Sequence, residues 1–98
     1  MPEISIDSTV VAIKDQMSCD LLGEAVILHT QTGVYYTLNL LGNRIWSYLK
    51  EPVQVRKIRD SILEEYEVGP AQCEEDLLTL LNDLYKEGLI IVENSPSP

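Results

Sequence analysis

The chain has 98 residues, and its sixteen acidic side chains outnumber seven basic ones, which gives a net charge of −9. Binding to nucleic acid relies on positive charge that displaces counterions, so this balance argues against such a partner and favours neutral or basic ones. The length is that of one domain, and an apolar fraction of 45% is enough for a small core. No apolar run is long enough to cross a membrane, and the start at Met1 lacks the features of a secretory signal, so we expect a cytoplasmic protein without a membrane partner.

The side chains that most often carry chemistry are few and scattered. Cys19 and Cys73 lie far apart and form no CxxC pair, so two free thiols are expected rather than a disulfide. His29 is the one histidine of the sequence, and these three residues lack the close spacing that a zinc site needs. No motif that would activate a nucleophile surrounds them. We therefore predict no metal, no cofactor and no catalytic residue, and hence a protein that is not an enzyme, with an enzyme subunit that has its own chemistry as the alternative.

The first half of the sequence predicts three β-strands. β-Branched and apolar residues favour a first strand at residues 9–14, and a polar connecting loop is expected at residues 15–22. A second strand at residues 25–30 and a third at residues 34–38 are joined by a short turn, in which Gly33 supplies the left-handed conformation. The second and third strands are therefore expected to form an antiparallel hairpin.

The second half predicts three helices. Asn39 is a good N-cap for a helix over residues 40–50. A second helix over residues 54–66 has its apolar side chains three and four positions apart. Pro70 suits the first turn of a third helix, which Gly88 is placed to end. A short strand at residues 89–92 and a disordered tail at residues 94–98 complete the predicted elements.

Two groups of residues resemble a known family. The first is Tyr36-Thr37-Leu38-Asn39, Gly42, Ile45-Trp46 and Leu49, and the second is Asp76-Leu77, Leu80-Leu81, Leu84 and Gly88-Leu89-Ile90. Over roughly residues 20–92 they resemble the winged-helix family of pyrroloquinoline-quinone biosynthesis protein D, which includes the peptide recognition elements of ribosomal peptide natural-product pathways. The resemblance implies an α+β fold, a winged helix-turn-helix with a three-stranded antiparallel sheet followed by three helices. It also implies a single peptide-binding domain over residues 1–93.

In the family that the chain resembles, a leader peptide lies between the third strand and the third helix and adds to the strand edge. That mode requires that the first strand does not cover the edge. A proline at Tyr36 is accordingly expected to weaken binding, because it removes an N–H from the strand. Leu81 and Leu84 are expected in the core. The resemblance gives these candidate peptide-binding residues: Val34, Tyr35, Tyr36, Thr37, Cys73, Asp76, Leu77, Leu80 and Asp83.

The overall resemblance favours the leader-binding proteins of lasso-peptide operons, which present a precursor leader peptide to a separate leader peptidase or other modifying enzyme. One alternative is a peptide chaperone for a radical enzyme in quinone cofactor biosynthesis. Another is a winged-helix DNA-binding regulator. The third helix of such a regulator would have to enter a groove of DNA, and here that helix carries mostly acidic charges. The second helix carries a basic cluster, Arg56, Lys57 and Arg59. We interpret it as a solvated face of the helix, and the alternative is a docking site for a partner enzyme.

Overall fold

The computed structural model describes residues 4–93, so the predicted tail at residues 94–98 lies outside the described residues. In chain order the elements are β1 (Thr9–Ala12), β2 (Gln16–Leu21), β3 (Glu24–His29), β4 (Tyr35–Leu38), α1 (Leu40–Ser47), β5 (Val53–Gln54), α2 (Val55–Glu65), α3 (Pro70–Lys86) and β6 (Ile90–Val92), with a 3-10 turn at Tyr48–Lys50 after α1. The predicted α+β class, with a three-stranded antiparallel sheet ahead of three helices, is confirmed.

The strands form two antiparallel sheets. One has the order β2-β3-β4, and the other has the order β5-β1-β6. β1 pairs with β5 and β6 and therefore does not extend the sheet that contains β4. The predicted hairpin is present as β3 and β4, and Gly33 between them has the expected positive φ of 76°.

The loop predicted at residues 15–22 is wrong, because this segment is strand β2. All six residues of β2 pair with β3, from Gln16 opposite His29 to Leu21 opposite Glu24. The turn between them consists of Leu22, with a φ of 57°, and Gly23, with a φ of 90°. Such a two-residue turn needs positive φ at both positions, and leucine there gives none of the usual sequence signals of a hairpin. Nearly all side chains of β2 are exposed, although its residues alternate between polar and apolar as in a strand.

The helices begin and end for reasons that the sequence anticipates. The Asn39 Oδ1 atom accepts a hydrogen bond from the Gly42 N–H at 2.8 Å, which satisfies one free donor of the first turn of α1. Pro70 lies in the first turn of α3, where the absent N–H costs nothing. Gly88 follows α3 with a φ of 76°, a conformation that stops the helix before β6.

The core lies where the helices meet the two sheets. Trp46 is 5% exposed, so its side chain is buried in this core. Leu81 and Leu84 on α3 are fully buried, as predicted. They belong to one cluster that also contains Val10 of β1 and Ile27 of β3, so a single core holds both sheets against the helices.

Candidate functional site

The edge of β4 is the first feature of the site. β3 occupies one edge of β4, and within residues 4–93 no strand pairs with the other. The condition that strand addition requires is therefore met, because β1 lies in the other sheet. An unpaired edge offers a row of N–H and C=O groups to any extended chain that approaches it.

The register of the β3–β4 hairpin determines which groups the open edge presents. The His29 N–H donates to the Val34 carbonyl at 2.9 Å. Since pairing alternates along an antiparallel ladder, Tyr36 and Leu38 exchange hydrogen bonds with β3. The N–H and C=O groups of Tyr35 and Thr37 then point to the open edge. Tyr36 is consequently the wrong position for a proline test, because its N–H belongs to the β3–β4 ladder.

A cleft of about 560 Å³ borders this edge. Its walls come from β4, from α1, from the end of α2 with the segment that follows it, and from α3. Most of the lining is apolar: Leu38, Leu41, Ile45, Ile62, Val68, Cys73, Leu77 and Leu80. Two acids, Glu67 and Asp76, also line the cleft, and no basic side chain is among its lining residues. The cleft therefore suits apolar side chains, with acidic groups available at its border.

Six of the nine predicted peptide-binding residues line this cleft: Tyr36, Thr37, Cys73, Asp76, Leu77 and Leu80. The other three, Val34, Tyr35 and Asp83, do not. Val34 lies at the turn end of the hairpin, and the alternation of β4 turns Tyr35 to the opposite face of the sheet from Tyr36. Asp83 is exposed on α3, and its charge acts on the phenol of Tyr36.

The contribution of α1, α2 and the segment after α2 is not among the residues predicted from the sequence. Ile45, Ile62, Tyr66 and Val68 all line the cleft. Ile62 and Tyr66 belong to the apolar stripe of the predicted second helix. Such a stripe indicates that both side chains pack against other parts of the protein, but not against which part. Their place beside the strand edge depends on how α2 packs against α3, which periodicity does not reveal.

Two side chains that line the cleft, the Tyr36 phenol and the Cys73 thiol, have a raised pKa and are neutral at ordinary pH. Burial raises the pKa of the Tyr36 phenol, and the charges of Asp83 and Glu87 raise it further. Burial also raises the pKa of the Cys73 thiol, against a smaller opposing effect of Arg59. Neither group is poised as a nucleophile or a base, since both functions at neutral pH require a lowered pKa or a neighbouring base. The Asp76 carboxylate accepts a hydrogen bond from Gln72 Nε2 at 2.8 Å.

A second cavity of similar volume lies on the other side of α1, beside β2. Its lining contains three charged residues, Asp20, Arg44 and Lys50. The Asn43 side chain donates to the Asp20 carboxylate and to the Gly23 carbonyl, both at 2.9 Å, and so ties α1 to the β2–β3 turn. These hydrogen bonds hold the β2-β3-β4 sheet against α1.

Surface charge disfavours a nucleic-acid interface, because α3 carries four acids, Glu74, Glu75, Asp76 and Asp83, against one basic residue, Lys86. Arg59 pairs with Glu74 at 2.9 Å and with Asp60 at 3.0 Å, and Arg56 pairs with Asp7. The predicted basic cluster is thus largely neutralised by neighbouring acids.

Within residues 4–93 there is no group of three His, Cys, Asp or Glu side chains placed to hold a metal ion. No helix in this range is long and apolar enough to cross a bilayer.

Comparison with known proteins identifies the class. The family model described as coenzyme PQQ synthesis protein D (PqqD) matches residues 24–90, and the chain belongs to this family. A solved structure titled "TbiB1 in Complex with the TbiA(beta) Leader Peptide" is 34% identical to the chain, with a TM-score of 0.76. The match covers 89% of this chain and 99% of that one. Among curated protein sequences, none matches the chain.

Proposed function

We propose that this protein binds the leader peptide of a ribosomally made precursor by strand addition to the open edge of β4. The observation that carries the proposal is that an unpaired edge runs beside an apolar cleft. Membership of the PqqD family and the similarity to a protein solved with a leader peptide support the same function. Residues 1–93 act as one domain in this proposal.

Binding has two parts in this geometry. The N–H and C=O groups of Tyr35 and Thr37 bond to the backbone of the peptide, each bond contributing about 0.5–1.5 kcal/mol net with little demand on sequence. Alternate side chains of the peptide enter the cleft, where Leu77, Leu80 and their neighbours select apolar groups. Ordering a flexible peptide opposes both gains, so we expect a dissociation constant between about nanomolar and micromolar for a segment of about ten to twenty residues.

The protein delivers the peptide and leaves the chemistry to another enzyme. The neutral thiol of Cys73 and the neutral phenol of Tyr36 support a non-catalytic cleft. The resemblance to the proteins of lasso-peptide operons favours a separate leader peptidase as the enzyme that receives the bound precursor. Presentation to a radical enzyme in quinone cofactor biosynthesis is the second candidate, favoured by the description of the matching family. The two free thiols support action in the cytoplasm.

The experiment first screens a display library of random 16-residue peptides for binding to the protein. The enriched sequence is called the selected peptide. Thr37→Pro removes an N–H that faces the open edge of β4, at a kind of position where proline is tolerated in sheets. Ser18→Pro is the matched control, because the alternation of hydrogen bonds turns the Ser18 N–H to the outer edge of β2. We expect Thr37→Pro to lower affinity at least about tenfold, from a lost bond and an unsatisfied peptide carbonyl, and Ser18→Pro to leave it unchanged.

Methylation of successive backbone nitrogens in the selected peptide gives a second readout that leaves the protein untouched. Strand addition predicts that, within the part of the peptide that pairs with β4, every second methyl group abolishes binding, because alternate amides face β4. Loss of binding with Ser18→Pro in place of Thr37→Pro would move the site to β2. A methylation pattern without period two would refute strand addition. The gene neighbourhood is expected to contain a short reading frame that matches the selected peptide.

A further inference from the structure

The outer face of the β2-β3-β4 sheet, which points away from the core, is unusually apolar. Residues directly opposite each other in the register share a face, so Met17, Leu28 and Tyr35 form one row across the three strands. Met17 is 65% exposed and Tyr35 is 68% exposed. The solvent side of an antiparallel sheet is ordinarily polar. This row therefore leaves apolar surface in water that the fold does not need for its own core.

The neighbouring rows continue the same surface. Cys19, Val26 and Thr37 form the next row, and Leu21, which is 61% exposed, lies opposite Glu24. Among the paired positions of these three described strands, Glu24 is the one charged residue on the outer face. A surface with so little charge is unexpected in a chain with a net charge of −9.

Tyr35 ends its row at the edge of β4 where the peptide is proposed to add. Its N–H and C=O groups point to that edge, so an added strand places one residue directly opposite Tyr35. The two side chains would then lie on the outer face, with their Cβ atoms about 5 Å apart. The next residue of the peptide points to the cleft beside Tyr36, because side chains alternate along a strand. The peptide thus extends the row Met17–Leu28–Tyr35 by one position.

We propose that the bound peptide is read on both faces of the sheet, with Tyr35 as the specificity-determining residue of a second, outward subsite. The subsite takes an aromatic or β-branched side chain, which pairs with Tyr35 across the strands. The inference rests on the proposed strand addition at β4. A second copy of the protein is a less suitable occupant, because it would bring a second net charge of −9 to the same face.

The first test repeats the peptide selection with Tyr35→Lys. On the unchanged protein we expect aromatic and β-branched residues to be enriched about threefold at one outward position, next to the position that fills the cleft. With Tyr35→Lys that preference is expected to change to Asp or Glu, while the apolar preference at the cleft positions persists. The same residue classes on both proteins would overturn the proposal.

The second test measures the affinity of the selected peptide. Tyr35→Ala is expected to weaken binding about threefold to fivefold, which matches the upper range of cross-strand pair energies. Met17→Ala is the matched control, since Met17 is equally exposed on the same row but two strands from the edge. We expect Met17→Ala to bind like the unchanged protein.

The outcomes separate this inference from the proposed function. If Thr37→Pro blocks binding while Tyr35→Ala has no effect, strand addition stands and the outward subsite is refuted. If Thr37→Pro leaves binding unchanged, the proposed function fails before the subsite is reached. If analytical ultracentrifugation shows a dimer that both Tyr35→Ala and Met17→Ala dissociate, the outer face is a contact between copies and the subsite is overturned.

Discussion

Replacing Leu80 by aspartate tests whether the apolar cleft supplies binding energy. Leu80 lines the cleft and is half-buried, packed against the flank of the core. Complete burial of a leucine side chain is worth about 1.5–3 kcal/mol, so covering the remaining half with a peptide contributes roughly 1 kcal/mol. An aspartate at this position also leaves an unpaired carboxylate beneath the peptide, at a further cost of about 1–3 kcal/mol. We therefore expect Leu80→Asp to weaken binding by at least about 1.4 kcal/mol, which is tenfold.

The assay is isothermal titration calorimetry with the selected peptide. Thr79→Asp is the matched control, because it places the same charge one residue away on an exposed side chain that does not line the cleft. Folding of both variants is followed by the fluorescence of Trp46, whose burial makes it sensitive to loss of the core. Leu80→Asp should remain folded, with a small cost from repulsion by Asp76 one turn earlier. A folded Leu80→Asp variant with unchanged affinity would refute the placement of the peptide in this cleft.

Two further predictions concern charge and pH. Asp76→Asn and Asp83→Asn are each expected to weaken binding by less than about 1 kcal/mol and mainly to slow association, with the larger effect at Asp76, which lines the cleft. Stopped-flow measurements at low and high salt would check this, and abolition of binding by either change would rank charge above the apolar contacts. The pKa of the Tyr36 phenol is higher in the folded protein than in the unfolded chain. The stabilisation from the neutral phenol is therefore fully present below the unfolded pKa of about 10, and it is lost as the pH rises through the folded pKa. We measure the free energy of unfolding in urea at neutral pH and at a pH above about 10. Tyr36→Phe should lose less stability between the two pH values than the unchanged protein. An equal loss in both proteins would contradict the raised pKa of Tyr36.

The elements that the sequence predicts correctly are those with local chemical causes. Asn39 caps a helix through its own side chain, and Gly33 and Gly88 adopt positive φ where a hairpin and a helix end require it. β2 was not predicted, although residues 16–21 alternate between polar and apolar side chains as in a strand. Its turn places Leu22 in a conformation that leucine seldom adopts, so the usual sequence sign of a hairpin is absent.

Helical periodicity indicates which side chains share a face but not which of them line a binding site. The family resemblance is what points to Leu77 and Leu80 as candidate peptide-binding residues, and the structure places both in the cleft. The approach of Ile62 and Val68 to the same cleft depends on tertiary packing between α2 and α3, to which no short sequence pattern corresponds. The direction of the Tyr36 N–H depends on the hydrogen-bond register of the hairpin, and a strand pattern alone is the same for either register.

In the proposed strand addition, the length of β4 limits how many residues of a precursor peptide can pair with the protein. Its four residues span about 13 Å, so the paired part of a bound peptide is about four to six residues long. In the proposed complex, the rest of a longer leader would extend past the ends of the strand, where another enzyme could reach it. The edge itself contributes backbone bonds that any sequence except proline can make. Selectivity then depends on the few side chains that point to the cleft or lie beside Tyr35, and the sequence of the remaining precursor is free to vary without loss of binding.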